Sequence, residues 1–265
     1  MNTLDLGFSD KTELLRTKQR FLLIDHGPLC DAFVESGEAD KRRAIFFDPH
    51  EQSFDPLRVP PRVFVDVIDA AFTRGDTTLT KDTGLDYIAE ALERRPASLE
   101  ALIPEPDKKS TPGHIWAYGK IRRILRSPVL KRVFCGETNF TIKKTKSPPT
   151  IIARIDRAEI GNEDAFILVS FLAAQYPGQI INSDFGPYAA PFYADIIAQD
   201  RLAIGLKRLS ELSADMQNMV LGIENKRGRR CTYDDAVTLA KHARLRPDLL
   251  REDNPYNRFI DEVMA

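Results

Sequence analysis

The chain has little of what marks a metal, redox or membrane protein. Only three cysteines occur in 265 residues, Cys30, Cys135 and Cys231, too widely spaced to give the CxxC pair of a structural zinc or dithiol site. The four histidines show neither HxH nor HExxH spacing. No sign of charge dominates: 38 Lys and Arg stand against 39 Asp and Glu, so no overall field draws nucleic acid or an anionic membrane, and any such surface must be local. The strongest apolar run, residues 165–174, is about half the length that a bilayer crossing needs. Near the start, Asp5, Asp10, Lys11 and Glu13 stand where a leader would be apolar. A cytoplasmic, soluble protein without a membrane span is therefore expected. What is present is globular in composition, 43% apolar and 29% charged, which excludes low-complexity and wholly disordered chains. The length suits one large domain, or one domain carrying a sizeable insertion.

Two short apolar runs ending in aspartate, Phe21 to Asp25 and Ala44 to Asp48, read as buried strands. The stretch from Leu29 to Ser36, closed by Gly37, reads as a helix joining them in parallel. From Pro60 to Phe134 the apolar period changes to 3.6 residues. Phe64, Val67, Ile68 and Ala71 share one face; Leu85, Ile88, Ala89 and Leu92 a second; Ile115, Tyr118, Ile121, Ile124 and Leu125 a third. Pro60 and Pro61 open the first of these helices, Asp82 caps the second and Thr111 the third. After Ser147-Pro148-Pro149 the alternation resumes, with strands over 150–155, 179–184 and 202–206 and helices over 161–176, 187–199, 210–221 and 232–243. The expected architecture is an α/β core of residues 1–59 and 135–265 interrupted by an all-helical insertion of residues 60–134; the plainer alternative makes those helices one layer of a single domain.

The wording around the aspartates is more specific. Ile24-Asp25-His26-Gly27-Pro28-Leu29, then Phe46-Phe47-Asp48-Pro49, then Ser53-Phe54-Asp55-Pro56-Leu57 resemble the segment after the P-loop in the HerA-like and conjugative (type IV) coupling-protein group of P-loop DNA-translocating ATPases. Ile180 to Phe185 resembles that group's Walker B strand, and Leu202 to Leu206 its sensor strand. Arg229-Arg230 with the Asp234-Asp235-Ala236 helix resembles its late strand and helix. The resemblance spans most of residues 20–243. It implies a RecA/HerA-like, P-loop NTPase-like, mostly parallel sheet with an all-helical insertion.

The catalytic positions depart from that pattern. No GxxxxGK[ST] occurs; the nearest string keeps Lys11 and Thr12 but puts Asp5 and Asp10 where glycines would wrap phosphate, and two carboxylates repel an anion. Few residues precede Lys11, which leaves little room for the strand that feeds the loop. Asp184 stands at the Walker B position, yet Phe185 takes the place of a water-polarising acid; the sensor position holds Lys207 or Arg208. Arg227, Arg229 and Arg230 have the chemistry of an arginine finger. The resemblance implies a non-hydrolysing relative of a DNA translocase, with a mobile element as one source it suggests, needing no cofactor and partnered by DNA, a ring ATPase or copies of itself. One alternative is an active ATP- and Mg²⁺-dependent translocase with an irregular P-loop; another is a metal-dependent enzyme using Asp25, His26, Asp48 and Asp184, with His50 near by in the sequence.

One local surface stands out. Lys120, Arg122, Arg123, Arg126, Lys131, Arg132, Lys143, Lys144 and Lys146 fall in one segment that holds a single acid, Glu137. With Trp116, Tyr118 and Phe140 nearby, this composition suits sequence-independent, salt-sensitive contact with a phosphate backbone. Arg122, Arg123 and Arg126 are expected on one side of a helix, and the cysteines are expected to be packed thiols.

Overall fold

In a computed structural model, residues 3–6, 15, 19–72, 79–142, 148–183, 185–190, 192–199, 201–206 and 212 are described. Six strands, β1 (Thr3–Leu6), β2 (Phe21–Asp25), β3 (Ile45–Phe47), β4 (Ile151–Arg154), β5 (Gln179–Asn182) and β6 (Leu202–Leu206), form one sheet in the order β1-β6-β5-β2-β4-β3. Every pairing is parallel. Parallel strands buried on both faces need near-continuous apolar sequence, and Phe21 to Ile24 and Ile151 to Ala153 supply it, all at most 1% exposed. β1 corrects one expectation. The short stretch before Lys11 does hold a strand, which adds to the sheet beside β6 with Thr3 opposite Ala203.

The alternation of side chains sorts the sheet into two faces. Phe21, Leu23, Ile152, Ile181 and Ala203 pack under α1 (Pro28–Glu35) and α2 (Glu38–Arg42) through Leu29, Cys30, Phe33 and Ala39. Leu22, Ile24, Ile151, Ala153, Ile180 and Ile204 face the larger core. That core is built on α3 (Pro61–Phe72), α4 (Leu79–Glu93), α5 (Pro112–Arg126), α6 (Pro128–Cys135) and α8 (Asn162–Gln175), with α7 (Arg157–Ile160) leading into α8 and α9 (Tyr193–Ala198) following β5. The helices of residues 60–134 and the sheet thus share one continuous apolar core. α8 is buried nearly all round, as a helix between two layers must be.

Two local signals behave as expected: Pro61 opens α3, and Thr111 Oγ1 accepts from the His114 N–H at the start of α5; the Ser127 hydroxyl likewise accepts from the Leu130 N–H at the start of α6. Others do not. α4 begins at Leu79, so Asp82 lies in its first turn rather than at its cap. In place of one helix over 187–199 the structure has a 3₁₀ turn over Gly186–Tyr188 and then the short α9; Pro187 has no N–H to give a helical ladder. Ile115 is 52% exposed, off the buried face assigned to it.

The edge strand β3 carries a plug. The outward-pointing Asp48 N–H donates to Gln52 Oε1 at 2.7 Å and Gln52 Nε2 donates to Phe46 O at 3.1 Å, so one side-chain amide satisfies the groups that a further strand would seek. With Ile45 and Phe46 exposed beside it, Gln52→Ala is expected to cost only about 1 kcal/mol of stability but to bring concentration-dependent self-association. Sedimentation across a concentration series checks this; an unchanged mass at the highest concentration would mean the amide protects nothing.

Candidate functional site

The chain leaves β2 toward β3 on one side of the sheet and leaves β5 toward β6 on the other, so the topological switch point lies between β2 and β5, where open parallel sheets place ligands at the strands' carboxyl ends. Asp25 ends β2 there, 4% exposed. Its Oδ2 accepts from the N–H groups of Gly27 at 2.8 Å, Leu29 at 2.8 Å and Cys30 at 3.3 Å, and its Oδ1 accepts from the Ser183 hydroxyl. The positive end of α1, which could take a phosphate, is filled by the chain's own carboxylate. Burial pushes the Asp25 carboxyl up, but the Ser183 hydroxyl and the three N–H groups outweigh it and hold the group below its ordinary range. Gly27 makes the turn possible: its φ is 151°, and a Cβ there would sit 3.1 Å from the Arg154 guanidinium.

The described members of the candidate metal set have other partners. Asp25 is consumed by backbone donors, His26 Nδ1 lies 3.6 Å from it, and His50 Nε2 instead meets Glu159 at 3.0 Å while Asp48 Oδ1 accepts from the His50 N–H. Among the described residues no group of three ligating side chains is placed to hold a metal ion. Cys30 and Cys135 are packed thiols: burial raises both, Cys135 to about 11, so neither supplies a thiolate near neutrality. Beside the switch point, a cavity of about 400 Å³ opens at the ends of β3 and β4, lined by Phe46, Asp48, His50, Arg154, Asp156 and Glu159.

Lys11, Thr12, Asp184, Lys207, Arg229 and Arg230 lie outside the described residues, as do Lys143, Lys144 and Lys146. The remaining six cations do not form one surface. Arg123 turns to α8 and makes a bidentate pair with Glu163, at 2.5 and 2.9 Å. Lys120 lies over the rings of Phe72 and Trp116 and donates to the Phe72 carbonyl at the end of α3. Both line a cavity of about 430 Å³ with Arg157, where Lys120 ties α5 to α3 and Arg123 ties it to α8. Arg132 donates to His50 O at 3.0 Å. Arg122, Arg126 and Lys131 stay exposed, and no carboxylate among the described residues pairs with them. Of Arg122, Arg123 and Arg126, Arg123 is thus the one paired with a carboxylate, 40 residues away in sequence.

Fold and site together define an open, all-parallel α/β protein, the frame that nucleotide-binding sheets share, with no helix among the described residues long and apolar enough to cross a membrane. No protein-family model matches the chain, and no curated protein matches it. What sequence reasoning missed was the pairing of Asp25 with Ser183, 158 residues apart, for which the sequence carries no signal. The Asp25-x-Gly27-Pro28 string, with proline at the first helical position, does carry the signal of a carboxylate-anchored helix start.

Proposed function

We propose that the chain is a non-hydrolysing protein of the P-loop NTPase fold, related to DNA translocases and conjugative coupling proteins, that works by binding duplex DNA. The observation that carries this reading is the strand order. β1 lies beside β6, the strand resembling the sensor, and β6 beside β5, the strand resembling Walker B, and the Lys11-Thr12 string follows β1 in sequence, which supports the reading. Asp5 lies within β1 itself, and Asp10 beside Lys11 and Phe185 after β5 stand where a phosphate nest needs glycine and hydrolysis a water-polarising acid; such losses cost about 3 kcal/mol each in transition-state stabilisation. Arg122, Arg126 and Lys131 supply exposed positive charge for a phosphate backbone.

Nucleotide binding and steady-state hydrolysis by the full chain, with and without duplex DNA, test the reading. Turnover at background with retained, salt-sensitive DNA binding is the expected result. Turnover that saturates with ATP and vanishes in Lys11→Ala would establish the active translocase instead.

A further inference from the structure

Three glycines lie in helices of residues 60–134, and two have a packing reason. A Cβ on Gly84 would meet Trp116 Cε3 at 2.4 Å, and one on Gly113 would meet Thr83 Oγ1 at 2.8 Å, so both let α4 and α5 close on each other. Gly119 has none. It is exposed in the middle of α5, and a Cβ there would find no atom within 4 Å. A glycine inside a helix lowers its stability relative to alanine, and within the described chain this one gains no contact in exchange.

The residues sharing its face include Ile115 at i−4, Arg122 at i+3, Arg123 at i+4 and Arg126 at i+7, all exposed. Arg122 rests on the Tyr118 ring, 5.7 Å from its centroid, which steadies the guanidinium while leaving its edge open. No acidic residue occurs from 112 to 135, and the adjacent cations Lys120 and Arg123 turn away to Phe72 and Glu163. The face therefore presents two guanidinium groups, unpaired among the described residues, following one bare position of helix backbone, with an apolar side chain preceding it.

We propose that this face of α5 seats a duplex DNA backbone, with Arg122 and Arg126 on phosphates, Ile115 against deoxyribose, and Gly119 admitting the sugar-phosphate chain close to the helix. Charge complementarity selects a polyanion. The bare backbone at Gly119, one turn before Arg122, selects a continuous anionic chain that presses close, whereas acidic side chains of a protein partner reach arginine by their own length and need no missing Cβ. The inference rests on the DNA-binding part of the proposed function and adds where, and how closely, the duplex lies.

The test measures anisotropy of a labelled mixed-sequence duplex across a salt series, with thermal denaturation, on the full-length wild type, Gly119→Ala, Gly119→Gln and the double variant Arg122→Glu/Arg126→Glu. The double variant should lose affinity about tenfold or more and flatten the salt slope by about 2. Gly119→Gln should lose about tenfold, and Gly119→Ala less, while both melt about 2 °C higher than wild type. Stabilised Gly119 variants that bind as wild type would overturn close approach at α5 even if the arginine result stands. A wild type that does not bind duplex, or an arginine double variant that binds as tightly, would remove the DNA reading itself and this inference with it.

Discussion

Asp25→Ala should lower folding stability by about 3 kcal/mol or more, because it strands three backbone N–H groups and the Ser183 hydroxyl in a buried place. The loss should not be local, since the same strand end ties the neighbours together: Ile155 N–H donates to Asp25 O at 2.9 Å and Ser183 N–H to Ile24 O at 3.1 Å. Asp25→Asn keeps an acceptor for the turn but gives up the charge, and should cost less. The two substitutions also differ from wild type in their acid limb. The carboxyl is held below its ordinary value, so its contribution is complete above about pH 4, the unfolded value, and is lost as pH falls through the lower folded value. Chemical denaturation as a function of pH should therefore show the gap between wild type and Asp25→Asn narrowing below about pH 4. A gap constant down to pH 2 would mean that the carboxylate charge contributes nothing and that only the acceptor geometry counts.

The strands were legible wherever burial on both faces forced an apolar run: β2, β4, β5 and β6 fall within a residue or two of the segments expected from Phe21, Thr150, Gln179 and Leu202. β1 was not. Thr3-Leu4-Asp5-Leu6 is four residues with a carboxylate inside, and only its pairing with β6 makes a strand of it. The candidate site shows the same division. That Asp25 sits at a functional strand end could be read from Ile24-Asp25-His26-Gly27-Pro28, but whether it faces a ligand or the chain itself depends on α1 folding back over it. Likewise the number of cations in 120–132 is a property of sequence, while their availability is set by Glu163, Phe72 and His50, which the chain brings in from 40 to 82 residues away.

Phe171→Ala addresses how the basic helices are held to the sheet. The Phe171 ring is fully buried on α8, 5.0 Å from the Phe64 ring of α3 and 5.4 Å from the Phe134 ring of α6, so it joins both to the helix that covers the strands. Truncating it leaves a cavity that no neighbour can fill without moving a helix, at a cost of about 3–5 kcal/mol. For a chain of this size that corresponds to a fall of about 6–15 °C in Tm. If residues 60–134 are a layer of one cooperative domain, as their shared core implies, calorimetry should show one transition displaced as a whole, with calorimetric and van't Hoff enthalpies still in agreement. Two transitions, only one of them displaced, would make the helical segment an inserted unit with its own stability. The Arg123–Glu163 pair gives an independent reading of the same joint. Being largely exposed, it should contribute about 1 kcal/mol at most, so Glu163→Gln should leave the single transition intact where Phe171→Ala shifts it. A Glu163→Gln effect as large as that of Phe171→Ala would move the main attachment of α5 from the buried rings to the surface ion pair.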